Sequence, residues 1–81
     1  MNEVSTNDGS CVVRFETCLY EPRHIIIAAQ AFTNDYWVYL DGDPSGIIQV
    51  VLKPKKVSVI DLKKIGYEFC NYVLLTSRNQ R

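Results

Sequence analysis

Residues 35–53 read DYWVYLDGDPSGIIQVVLK. Two runs rich in aromatic and β-branched residues flank the cluster Asp41-Gly42-Asp43-Pro44-Ser45-Gly46. Asp and Ser side chains bond to nearby backbone, Gly takes up positive φ, and Pro arrives with φ already set. The stretch therefore reads as a β-hairpin. In its first strand Tyr36, Val38 and Leu40 share one face, and Trp37, Tyr39 and Asp41 the other. In its second, Ile48, Val50 and Leu52 oppose Ile47, Gln49, Val51 and Lys53. Neither strand alternates cleanly between apolar and polar. Both faces are largely apolar, as in the middle of a sheet or in a sheet with a partner.

Upstream, Cys11, Val13, Phe15 and Thr17 alternate with Val12, Arg14 and Glu16. This is the cleanest period-two pattern in the chain, and it predicts a strand with one face on the core and one in water. Residues 1–10 are polar and without period, and read as a flexible tail. Tyr20-Glu21-Pro22 ends the strand and opens a helix, since Pro at the first helical position lacks only an N–H that would be unpaired there. The spacing predicts a helix over 22–32, with Ile25, Ala28, Ala29 and Phe32 on one side. Thr33-Asn34-Asp35 ends it.

Downstream, Pro54-Lys55-Lys56-Val57 is a polar link. Ser58-Val59-Ile60-Asp61 resembles a capping box with Asp at its third position after the cap. A second helix is predicted over about 59–77, with Leu62, Ile65, Phe69, Tyr72 or Val73, and Thr76 tracing one stripe. Gly66 inside it serves either close packing or a bend. The order is strand, helix, strand, strand, helix. Residues 11–81 therefore read as one α+β domain, a truncated ferredoxin-like sandwich with both helices on one face of a three-stranded sheet. In sequence numbering the expected sheet order is 1-3-2. One sheet edge, and a face showing Trp37, Tyr39, Ile47 and Val51 or the opposite set, would stay open and invite a protein partner.

Composition excludes several functions. Lysine plus arginine equal aspartate plus glutamate at nine each, so no basic stripe exists to displace counterions from nucleic acid. The longest apolar run, Ile25 to Ala29, is far too short to span a bilayer. Met1 to Ser10 has neither the basic start nor the apolar centre of a signal peptide, so the expected compartment is the cytoplasm. Cys11, Cys18 and Cys70 are too dispersed for a zinc or iron–sulfur site and read as small hydrophobes. His24, the single histidine, has only Glu21 nearby as a possible orienting carboxylate and reads as structural. Asp41-Gly42-Asp43-Pro44 lacks the later acidic ligand of a calcium loop and reads as a turn. No nucleophile–base order, phosphate-cradling glycine loop or catalytic carboxylate pair is present. The expectation is a protein without enzymatic activity, cofactor or metal.

A resemblance goes further. Ala28, Ala29 and Phe32, the Asp- and Gly-containing hairpin, Leu52-Lys53-Pro54-Lys55, and then Phe69-x-Asn71-x-x-Leu74 with Arg78 together resemble HxsD, the small protein of the His-Xaa-Ser system. The likeness spans about residues 12–78. It departs at Tyr72, Val73 and Thr76, where that family tends to be more polar. The resemblance implies an accessory protein encoded beside two radical-SAM enzymes and a protein with His-Xaa-Ser repeats. Its implied role is to dock the maturase or the repeat-protein substrate while holding no cluster itself. An exposed strand edge would add an extended peptide. The alternative is a self-associating structural domain, a homodimer with no role in peptide modification. Trp37, Tyr39, Val13, Asn71 and Arg78 are the candidate partner-binding residues. Core or cross-strand packing would explain the aromatics equally well.

Overall fold

The computed structural model describes residues 3–7, 9–56 and 61–79. Its elements are β1 (Glu3–Asn7), β2 (Ser10–Glu16), α1 (Pro22–Phe32), β3 (Tyr36–Gly42), β4 (Ile47–Pro54) and α2 (Leu62–Asn79). The chain is α+β, as expected. The strands form one antiparallel sheet in the order β1-β2-β4-β3. The strand after the first helix lies outside the last one, as the 1-3-2 order requires.

The sheet has four strands, not three. Glu3–Asn7, expected to be part of a flexible tail, pairs along β2 from Glu3–Arg14 to Asn7–Ser10. That register leaves a two-residue connection, and Gly9 takes the positive φ (78°) that such a turn demands. Asp8-Gly9 between Val4-Ser5-Thr6 and the β2 alternation was the sequence signal for this hairpin.

β2 buries Cys11, Val13 and Phe15 completely, while Arg14 and Glu16 stay exposed. β4 buries Ile48, Val50 and Leu52 on the same side. Against this face lie Ile25, Ala28 and Ala29 of α1 and Ile65, Phe69, Cys70 and Val73 of α2, in one core. Both helices thus cover one sheet face, α2 over β1 and β2 and α1 toward β3. Phe69 is the hinge of the packing, with its ring centroid 5.9 Å from Phe15 and 5.1 Å from Phe32.

α1 has the predicted bounds, with Pro22 in its first turn. α2 begins later than expected. Asp61 itself caps it, Oδ1 accepting from the Lys63 and Lys64 amides at 3.1 and 3.4 Å. Ser58, Val59 and Ile60 of the expected capping box lie outside the described residues. Gly66 serves close packing. A Cβ there would stand 2.6 Å from both Cys11 Sγ and Val4 Cγ1, so only glycine lets α2 sit so near β1 and β2.

Candidate functional site

The hairpin fixes the site. Asp43 Oδ1 accepts from the Ser45 amide and hydroxyl at 2.9 and 2.8 Å, and the Asp43 carbonyl accepts from the Gly46 amide at 2.9 Å. The two bonds from Ser45 stabilise the ionised carboxylate and hold its pKa below the ordinary aspartate value. Gly42 has φ +112°, and a side chain there would fall on the Ile47 carbonyl. A short tight turn therefore sets the β3–β4 register from Tyr36–Pro54 to Gly42–Ile48.

Two surfaces result. The first is the outer edge of β3. Among the described residues no strand pairs with it. An edge strand presents unpaired N–H and C=O groups to any chain that comes alongside. Next to that edge runs a groove of about 250 Å³, between α1 and the hairpin. Pro22, Ile25 and Ile26 line one wall, and Leu40, Pro44 and Ile48 the other. Leu40 is on the core side of β3 yet 44 % exposed, because α1 does not cover this end of the strand.

The second surface is the sheet face opposite the helices. Trp37, Tyr39 and Ile47 are 53, 60 and 50 % exposed there, and Val12, Gln49 and Val51 lie half-buried between them. Tyr39, Val51 and Val12 form one row across the sheet by register. Lys55 Nζ stands 4.7 Å above the Trp37 ring, a cation–π contact at the end of the face.

Of the candidate residues, Trp37 and Tyr39 are on this open face. Val13 is not available to a partner. It is fully buried under α2, because it shares the core side of β2 with Cys11 and Phe15. Asn71 and Arg78 come together with Leu74 and Leu75 around a shallow hollow on the outer side of α2. That hollow is on the helical side of the molecule, away from Trp37 and Tyr39. The five residues are therefore not one site. Ile26 and Leu40, in the α1–β3 groove, were missed. Their signal was an apolar residue on the core parity of β3 combined with a helix of only 11 residues, too short to shield the whole strand.

His24 is buried, 4 % exposed, and its Nε2 has no hydrogen-bond partner among the described residues. Cys11 and Cys70 are buried and Cys18 is exposed. Burial pushes the Cys11 thiol up, nearby Cys70 pushes it further, and a backbone hydrogen bond from Gly66 opposes both. The Tyr36 hydroxyl is raised by burial and by Glu68 and Asp35. No group of three or more His, Cys, Asp or Glu able to hold a metal occurs among the described residues. No described helix is long and apolar enough to cross a membrane.

Fold and surface together define a small α+β domain with one uncovered sheet face and an open strand beside an apolar groove. Comparison of the chain with protein-family models, curated proteins and solved structures finds no match.

Proposed function

We propose that this chain is an accessory binding domain that receives an extended peptide segment along the outer edge of β3. The observation that carries this reading is the unpaired edge of β3 lying directly beside the apolar α1–β3 groove. An added strand would bond through its backbone to β3. Its side chains on the helical side, spaced by two residues, would point toward the groove, where Ile26 and Leu40 meet an apolar one. Backbone pairing supplies affinity, and the groove supplies selectivity.

The resemblance to HxsD supports a particular setting. There the peptide segment belongs to a His-Xaa-Ser repeat protein or to a radical-SAM maturase, and this domain brings the two together without itself catalysing a reaction. The strand order supports a ferredoxin-like reading of the fold. In that reading β2, α1, β3, β4 and α2 are its first five elements, and β1 fills from the N-terminal side the sheet position of a C-terminal last strand.

The test is co-elution of the full chain with a His-Xaa-Ser repeat protein and with a radical-SAM maturase of such a system. The expected result is a stable complex with one of them at micromolar concentration. Leu40→Glu or Ile26→Asp abolishes it while leaving the circular dichroism unchanged, because both side chains are 44 % exposed. No complex with either protein, or one indifferent to Leu40→Glu, refutes the proposal.

A further inference from the structure

The open sheet face has its own design, separate from the β3 edge. By register its rows run Trp37–Lys53, then Tyr39–Val51–Val12, then Asp41–Gln49–Arg14, then Ile47–Glu16. Lys55, stacked on Trp37 and paired through its amide with the Asp35 carbonyl, lies one row beyond the first. One end of the face is therefore basic through Lys53 and Lys55, partly offset by Asp35. The other carries Glu16 and Asp41, partly offset by Arg14. The middle row has no charge.

We propose that this face packs against the same face of a second copy of the chain, about a two-fold axis crossing the strands through the Tyr39–Val51–Val12 row. Such a rotation reverses strand direction while keeping β3 over β3. It lays Lys53 of each copy on the Asp41–Gln49–Arg14 row of the other, and Lys55 on the Ile47–Glu16 row. A two-fold axis along the strands would instead set Lys53 against Lys53, and like charges meeting there would disfavour it. Charge thus selects the orientation.

The same pattern argues for a second copy over an unrelated partner. An isologous interface must be complementary to itself. Opposite charges at the two ends of an apolar middle meet that condition, and nine basic against nine acidic residues leave no net repulsion between copies. Trp37 and Tyr39, exposed by more than half, are side chains of the type that anchors interfaces. Two sheets packed in this way stack about 10 Å apart with strands nearly aligned. The outer edges of β3 remain open, so dimer and peptide binding are compatible, and either can fail without the other.

Sedimentation equilibrium of the full chain tests this. The expected mass is twice the 9.3 kDa of one chain. Tyr39→Glu sets two carboxylates face to face near the axis and weakens association by about thirtyfold or more. Its circular dichroism stays native, since Tyr39 is exposed. Lys55→Glu and Glu16→Lys each disturb two symmetry-related contacts and weaken it by about tenfold. The double variant Lys55→Glu with Glu16→Lys restores association. A chain that stays monomeric at high micromolar concentration overturns the proposal, as does a dimer indifferent to Tyr39→Glu. A charge swap that restores nothing overturns the orientation and with it the proposal.

Discussion

Asp43 is a single side chain that fixes the geometry of the longest strand pair. It satisfies two donors of Ser45 through one oxygen and so reinforces a turn that Gly42 makes possible. Its folded-state pKa lies below its unfolded one. The stabilisation it brings is therefore present above the unfolded value and disappears as pH falls through the folded value. In an NMR titration its carboxyl midpoint should fall below that of an unfolded aspartate, with the Ser45 amide shift following the same curve. A midpoint at or above the unfolded value would contradict the role given to these hydrogen bonds. His24 is a residue of another kind: its buried ring nitrogen has no hydrogen-bond partner among the described residues, which is a cost.

At the scale of elements, α2 owes its position to Gly66. An exposed helical glycine changed to alanine usually gains about 1 kcal/mol. Here the new methyl would meet Cys11 Sγ and Val4 Cγ1, each 2.6 Å from its position. Overpacking of a tight core costs about 1–3 kcal/mol, so the steric term wins. Gly66→Ala is expected to lower the urea midpoint. Adding Cys11→Ala, which removes one of the two obstructing atoms, should recover part of the loss relative to Cys11→Ala alone. A Gly66→Ala variant more stable than the parent would show that the helix moves away from the sheet without penalty.

For the whole molecule, β1 decides which edge of the sheet remains for a partner. It covers β2 and becomes one outer strand itself, with β3 the other, and of these two only β3 lines the groove. Val4 of β1 packs on the core, whereas Ser5 points to the open face and is exposed. Val4→Asp places a charge beneath α2 and should cost about 2 kcal/mol of unfolding free energy. Ser5→Asp, one residue along, should stay within about 0.5 kcal/mol of the parent. Equal effects of the two substitutions in chemical denaturation would mean that β1 is not part of the cooperative fold. Among the described residues the second face of the sheet is free because the two helices both cover the core side.

Much of this was legible in the residues. The turn chemistry of 41–46, the alternation of β2 and Pro22 at the head of α1 specified a hairpin, a half-buried strand and a helix by local rules alone. The apolar parity of β3 and β4 left open which of their two faces the helices would cover. β1 was harder to read because it has one apolar residue, and its stability comes from pairing with β2 and from Val4 meeting α2. Asp61 as the cap of α2 depended on where the chain enters the helix. The separation of Asn71 and Arg78 from Trp37 and Tyr39, and the loss of Val13 to the core, follow from which face the helices cover. Local sequence determined the elements through short-range sterics and hydrogen bonds. Only the tertiary structure decided which of two nearly equally apolar faces became the surface, because that depends on where helices of limited length come to rest.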